Sequence, residues 1–366
     1  MVPPSPNERS ATLASSTIRV NHSVAAKPFN AASDSHVPRS TILIARASVR
    51  RLLPMRDCIA AVEAAFVAAA TGRTIAAGVS GSHVDGGGFH VKTAGLVGEP
   101  AYFAAKTNAN FPQNPLRSGR PTIQGILVLY DASNGDPLAL LDSAEITRLR
   151  TAAATAVAAK YLSRVDASAV TICGCGLQAA AQLEALCSVR PIARVFAYDV
   201  DQARAHAFAA DTSVALHLDA CPVSTIAEGS RRSDIVVTCT PSTRPILGVD
   251  DVAAGTFIAA VGADSENKQE IDVHLMARAA VVADVLSQCV AIGDLHHAIE
   301  AGVMSANDVR AELADVVTGT ARWSRSDNDI VVFDSTGTAL EDVAAAAMVY
   351  ERAVAERIST TFDFAG

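Results

Sequence analysis

The chain has 366 residues, half of them apolar and 19% charged, with a formal net charge of −8. That balance belongs to a folded chain long enough for two domains, and it excludes a disordered one. The acidic charge with no lysine-rich run speaks against nucleic-acid and anionic-membrane partners, and no apolar stretch reaches the roughly 20 residues of a membrane-spanning helix.

Residues 1–39 are rich in Ser, Ala and Pro and lack a hydrophobic period, so they read as a disordered N-terminal extension. Their few acids against several bases weakly resemble an organelle transit peptide. The seven scattered cysteines, mostly inside apolar runs, read as free small hydrophobes in a reducing compartment, which places the protein in the cytoplasm. Cys173 and Cys175 have neither redox nor zinc spacing, and no metal is expected.

From Thr41 the run TILIA predicts a strand, and MRDCIAAVEAAFVAAATG a helix with Ile59, Val62, Ala65, Phe66 and Ala69 at helical spacing and Gly72 as its stop. FHVKTAGL, YFAAKTNANF and TIQGILVLYDASNGDPLALLDS read as strands, the last a hairpin around Asn134-Gly135. Ser143 is the expected N-cap of an alanine-rich helix, SAEITRLRTAAATAVAAKYL. Beyond it, AVTICG, RVFAYD, DIVVTCT, TFIAAVGAD and AAVVADV alternate with helical stretches, the pattern of a parallel sheet covered by helices. The closing strand, Ser-Thr-Gly turn and amphipathic helix are expected to rejoin the first unit, making it discontinuous.

The turn GCGLQAA follows the first of these strands. Gly174 permits the tight turn, Gly176 lets backbone approach a pyrophosphate at the helix N-terminus, and Ala179 takes the small third position. The second strand ends in Asp199, 25 residues after Gly174, where a carboxylate accepts from ribose hydroxyls and repels a 2′-phosphate. The cofactor expected is therefore NAD(H) rather than NADP(H). Other candidates on the cofactor side are Thr151, Leu177, Gln178, Thr238, Thr240, Val261, Gly262, Ser335 and Gly337. In FDSTG, free amides at Ser335 to Gly337 would meet a cofactor, unless they serve capping alone.

Ligands of such sheets bind beyond the carboxyl ends of the strands. Asp264, two residues after the glycine of TFIAAVG, is a candidate acid or base toward a nitrogen substrate, or else a helix N-cap. Lys92, Lys106 and Arg150 each interrupt apolar or small-residue stretches. A buried base needs a partner, so each has a protein carboxylate or awaits an anionic ligand. His296-His297 reads as a helix surface pair.

The segments TRLRTAAATAVAAKYL, GCGLQAAAQL, VTCTPSTRPIL, AAVGADSENKQEI and FDSTGTALEDVA, in that order, resemble the ornithine cyclodeaminase/mu-crystallin family. The resemblance covers residues 41 to about 360 and implies an α/β fold. A Rossmann NAD-binding domain (151–321) is inserted in a discontinuous α+β substrate-binding and dimerisation domain (40–150 and 322–366) of a homodimer. It implies that Lys106 and Arg150 hold the carboxylate of a small imino or amino acid and that Asp264 is the catalytic acid or base beside the reacting nitrogen; Lys92 is a further substrate-binding candidate and Lys106 a further catalytic one. Where many members carry a further Arg, this chain has none between Arg73 and Lys92. The leading activity is an NAD(H)-dependent imine reductase or amino-acid dehydrogenase acting on iminosuccinate, alanine or a cyclic imino acid. The alternatives are an ornithine cyclodeaminase-type lyase and a non-catalytic binder of small molecules.

Overall fold

A strand, a tight helix pair and a meander open the folded chain. The structure, a computed structural model, describes residues 40–358 and 360–364, so the expected extension 1–39 lies outside the described residues. β1 (Thr41–Ile44) is followed by α1 (Arg46–Leu52) and by α2 (Met55–Ala70), which buries Met55, Cys58, Ile59, Val62, Ala65 and Phe66 along one face. Gly72, at φ +68°, ends it.

β2 (Thr74–Val84), β3 (Gly87–Leu96), β4 (Tyr102–Asn110), the short α3 (Asn114–Ser118), β5 (Ile123–Asp131) and β6 (Pro137–Asp142) follow. Their four strand pairings are antiparallel, and Gly135, at φ +87°, turns the predicted hairpin between β5 and β6. β2 is invisible to sequence patterning because TIAAGVSGSHV buries nothing and alternates little. One face of the sheet presents Ala94, Ala104, Lys106, Leu127 and Leu129, all buried. The other presents Phe89, Val91, Phe103, Ala105, Ile126 and Val128, partly or fully exposed.

α4 (Ser143–Leu162) leaves this sheet almost wholly buried. Its cap is Asp142, whose carboxylate accepts from the Glu145 N–H at 2.8 Å, and not Ser143 as the sequence suggested. Ser143 lies inside the helix, its hydroxyl 2.6 Å from Asn108 Oδ1.

The rest of the chain alternates strands and helices, most of them in a second, parallel sheet and its covering helices. β7 (Ala169–Cys173), α5 (Leu177–Cys187), β8 (Arg194–Tyr198), α6 (Gln202–Leu216), β9 (Asp219–Pro222), α7 (Ile226–Ser230), β10 (Ile235–Thr238), β11 (Thr243–Leu247), β12 (Phe257–Ala260) and β13 (Gln269–Ile271) come first. Then follow α8 (Val273–Arg278), β14 (Ala280–Ala283), α9 (Leu286–Ile292), α10 (Asp294–Glu300), β15 (Ala311–Glu312), α11 (Leu313–Thr318), β16 (Val331–Asp334), α12 (Ala339–Ala355) and β17 (Thr361–Phe362). Eight of these strands form a parallel sheet in the order β15-β14-β16-β12-β10-β7-β8-β9, with fully buried strands such as Ile235–Thr238 at its centre, while β11 and β13 pair in a two-stranded sheet of their own. The order reverses between β7 and β10, the place where such sheets open a ligand crevice.

One expectation is corrected. β16 does not rejoin the first sheet but pairs with β12 and β14 in the parallel one, because VVFD is apolar on both faces. α12 alone packs back on α2, β3 and β4, while β17 pairs with β1. Both sheets belong to one compact unit.

Candidate active site

The glycine turn sits at the reversal point. Gly174 has φ +97°, and a Cβ there would lie 2.8 Å from the Thr240 side chain and 3.0 Å from the Cys239 carbonyl. Only glycine lets the loops after β7 and β10 pass so closely. Gly176 is the N-cap of the 11-residue α5, with no side-chain cap, and a Cβ on it would meet nothing within 4 Å. Leu177 beside it is 86% exposed, so the helix N-terminus is open to a phosphate. Asp199 is buried rather than a solvated strand end. Its two carboxylate oxygens accept from the N–H groups of Cys175 and Asp201, each at 2.9 Å. A carboxylate has about four acceptor positions, so two remain for ribose hydroxyls. These residues fit a dinucleotide.

A basic cluster lies across the crevice. Lys92 and Lys106 are direct cross-strand partners on the helix-covered face of the first sheet, an arrangement that repels unless compensated. The Lys106 ammonium is 2.6 Å from Asp342 and donates to the Thr147 hydroxyl at 3.3 Å. Arg150 reaches Asp342 and Glu341, each at 3.0 Å. Burial pushes Lys106 down to about 8 although Asp342 opposes it. Burial also works against Asp342, yet Lys106 and Arg150 hold its carboxyl below the usual range. Burial raises Glu341, with Arg150 opposing. Of the two readings open for Lys106 and Arg150, the protein itself supplies a carboxylate to both.

Lys92 differs. Its ammonium donates to the carbonyls of Gly337 (2.8 Å) and Thr336 (3.2 Å), and burial, then Arg150, lowers it from the ordinary lysine range. Gly337 is at φ +74° and its Cα faces Arg150 so closely that a Cβ would lie 2.3 Å from the guanidinium. The amides expected to be free are occupied: Gly337 N–H donates to Asp284 at 2.7 Å and Ser335 N–H to the Ala260 carbonyl at 3.0 Å. The Ser335 hydroxyl also donates to Asp284. This loop is therefore held by an acid that strand patterning hides inside AAVVADV.

Asp264 stands at the mouth of the crevice, its side chain 53% exposed. It caps no helix, since the next one begins at Val273 under its own cap, Asp272. Burial would raise its carboxyl, but Lys268 at 2.6 Å, helped by Lys92 and His90, holds it below the usual range. Lys268 is itself braced through its carbonyl by His297 Nε2 at 2.9 Å, so the pair on α10 is not merely surface.

Glu270 joins the two loops that flank this carboxylate. It accepts from Thr240 N–H (2.6 Å), the Thr240 hydroxyl (2.7 Å) and Gly262 N–H (2.8 Å). Asp294 in turn accepts from the N–H groups of Glu270 and Ile271. Thr240 and Gly262, expected at the cofactor, thus hold the strand ends together; Thr151 and Thr238 are buried, and Gln178 and Val261 partly so. All seven cysteines are unpaired, and burial raises every one of their thiols.

Burial and the neighbouring Asp294 push Glu270 up to about 7, against 4.5 for an ordinary glutamate, and burial pushes Asp294 up to about 6. The folded state holds these protons more tightly than the unfolded state, so stability is fully present below pH 4 and falls as pH rises to 7. Glu270 contributes roughly 3 kcal/mol to that fall. Urea midpoints measured from pH 5 to 7 should decline for the native chain and decline less for Glu270→Gln.

The open glycine turn, the strand-end carboxylate and the crevice at the reversal point define a Rossmann-type dinucleotide-binding protein of the dehydrogenase kind. The chain belongs to the ornithine cyclodeaminase/mu-crystallin family, whose model it matches over residues 39–357. It is similar to an archaeal alanine dehydrogenase dimer with bound NAD, at 36% identity and TM-score 0.85, covering 89% of this chain and 99% of that one. It is also similar to the Delta(1)-pyrroline-2-carboxylate reductase of Thermococcus litoralis in complex with NADH and L-proline (29%, TM-score 0.83, 87% and 98%). The iminosuccinate reductase of Paracoccus denitrificans in complex with NAD+ is a third (29%, TM-score 0.81, 89% and 100%). Among the described residues no helix is long and apolar enough to cross a membrane.

Proposed function

We propose that this chain is an NAD(H)-dependent oxidoreductase that interconverts a small 2-imino acid and its amino acid. The observation that carries the reading is Asp264, in the loop after β12 at the carboxyl end of the parallel sheet, within electrostatic reach of Lys92 and held below the usual carboxylate range by Lys268. Support comes from the three NAD- or NADH-bound relatives, each of which acts by its name on an amino or imino acid. Asp199 supports NAD(H) over NADP(H), since two lone pairs remain for ribose hydroxyls and its charge repels a 2′-phosphate.

The bound nicotinamide supplies or accepts the hydride. The chain's own residues do the rest. Lys92, Lys106 and Arg150 set a positive field that turns the substrate carboxylate to one side of the crevice. Asp264 faces the substrate nitrogen, stabilises it when protonated and takes its proton when the amine is oxidised. Lys106, at about 8, is a second group able to exchange a proton near neutral pH. Lys268 keeps Asp264 charged.

We also read the chain as a homodimer. Phe89, Ile126 and their partly exposed neighbours form an uncovered apolar sheet face, and ten of the eleven residues of the edge strand β2 are exposed. The α+β part around the first sheet would then bind substrate and partner, and the parallel sheet the dinucleotide. The unpaired cysteines support a reducing compartment such as the cytoplasm.

NADH oxidation is followed by absorbance with preformed cyclic imines and with ammonia plus pyruvate, glyoxylate or oxaloacetate. Oxidation by at least one of them is expected. Ammonia released from ornithine and NAD with no net NADH change would make the chain a lyase instead.

A further inference from the structure

We infer that Glu270 is the positioning residue for Asp264: as a carboxylate it closes the base of the loop that carries Asp264 and ties that loop to the dinucleotide turn. The inference rests on the imine-reductase reading and deepens it.

The loop leaves β12 through Gly262 and ends in β13, where Glu270 is fully buried. Glu270 Oε2 accepts from the Gly262 N–H at 2.8 Å, eight residues back. One carboxyl group thus joins the two ends of the segment that presents Asp264 and Lys268. Its Oε1 accepts from the N–H and the hydroxyl of Thr240, at 2.6 and 2.7 Å, and fastens the same segment to the loop after β10. Thr240 in turn lies against the glycine turn, its methyl being the atom nearest to a Cβ placed on Gly174. The seat is close-fitting, since a Cβ on Gly262 would stand 2.5 Å from the Glu270 carboxyl carbon. Asp294 fixes Glu270 from behind, accepting from the N–H groups of Glu270 and Ile271, each at 2.8 Å. Asp264 is half-exposed, and among the described residues the hydrogen bond its carboxylate accepts comes from Lys268 of the same loop. Its place in the crevice is therefore set by the base of that loop.

The clamp needs the charge. A carboxylate accepts all three bonds, whereas a neutral carboxyl carries a proton on one oxygen, which becomes the poorer acceptor. On Oε2 that weakens the tie to the Gly262 N–H, and on Oε1 the tie to the Thr240 N–H. The titratable groups facing Glu270 are Asp294 from α10, the Cys173 thiol from β7 and the Cys239 thiol after β10, and none supplies a positive charge. With burial and Asp294 pushing it up to about 7, Glu270 changes charge across neutral pH. Rising pH then tightens the loop while lowering global stability. A residue of structural importance alone would move turnover and stability the same way.

The test compares the full-length native chain, Glu270→Gln, Asp264→Asn and their double variant, all loaded with NADH. The amide nitrogen of glutamine cannot accept, so one of the two N–H ties is lost at nearly constant shape. Glu270→Gln should lower the turnover number about 10- to 100-fold, the scale of a small misplacement of a reacting group, with the KM for the imine and the NADH affinity within about threefold. The native-to-variant ratio of turnover numbers, in which titration of the substrate and of Lys106 cancels, should rise at least about threefold from pH 6 to pH 8. In the Asp264→Asn background the same substitution should change turnover by less than about threefold, because the residue it positions is already disabled. Hydrogen exchange across residues 262–270 at pH 8 should be faster in Glu270→Gln than in the native chain, with β7 and β10 exchanging alike. Equal turnover, a pH-independent ratio or a full further loss in the double variant would overturn the inference. Exchange is read without turnover, so a chain that reduces no imine but whose loop opens in Glu270→Gln would sink the reductase reading and leave the clamp standing. Unchanged exchange would remove the clamp whatever the chain reduces.

Discussion

Asp264→Asn should lower the turnover number for imine reduction by at least about 100-fold while leaving NADH affinity within a factor of two. The substitution keeps shape, removes charge and basicity, and exchanges one acceptor oxygen for an amide donor. Hydride addition to a C=N carbon is fast when nitrogen is protonated, and an anion beside that nitrogen stabilises the cation. Asparagine cannot do so, nor can it take the proton in the reverse direction. A positioned acid or base contributes typically 10²- to 10⁴-fold. The residue is half-exposed on a turn, so its loss should leave the core undisturbed. Since Lys268 holds the carboxyl below its usual range, the native enzyme should keep its carboxylate to below pH 4, and the acid limb of the rate should not come from Asp264. NADH fluorescence titration beside steady-state rates separates binding from chemistry. Activity within tenfold of native would remove Asp264 from the reaction.

The parallel sheet was readable because its strands are apolar on both faces and its turn carries glycines with a strict conformational reason. The nine residues of YFAAKTNAN likewise betrayed an odd lysine in a small-residue strand, although not what answers its charge. The answering acids, Glu341 and Asp342, stand in the first turn of α12, where acids are favoured by the helix dipole alone and attract no notice. Asp284, Asp294 and Glu270 were hidden for a related reason. Each accepts backbone N–H groups at a strand or helix end, a role with no periodic signature. β16 was misplaced because chain order suggested a return to the first unit, whereas burial on both faces put the strand in the middle of the parallel sheet. β2 was missed because it is an exposed edge whose sequence is set by no core of its own.

The largest expected loss of stability comes from Asp342. Its carboxylate, 1% exposed, neutralises both Lys106 and Arg150, and among the described residues no other carboxylate pairs with both. Asp342→Asn leaves Arg150 with Glu341 but strands the Lys106 ammonium in a nearly closed site opposite Lys92. Removing one partner of a buried ion pair costs about 3–5 kcal/mol, mostly because a charge is left buried and unpaired. If that is the cause, deleting the stranded charge should help. The double variant Lys106→Met/Asp342→Asn retains the Arg150–Glu341 pair and should recover at least half of the urea midpoint lost by the single variant. The pH dependence supplies the same test independently. Lys106 already sits at about 8 in the native fold, below the 10.5 of an ordinary lysine, so its burial penalises the folded state least where it is deprotonated. Without Asp342 its folded value drops further, and the single variant should regain stability relative to native as pH rises from 7 toward 9. A midpoint deficit that is the same at pH 7 and 9, and unchanged by Lys106→Met, would mean that Asp342 stabilises through packing or through Arg150 rather than by answering the charge of Lys106.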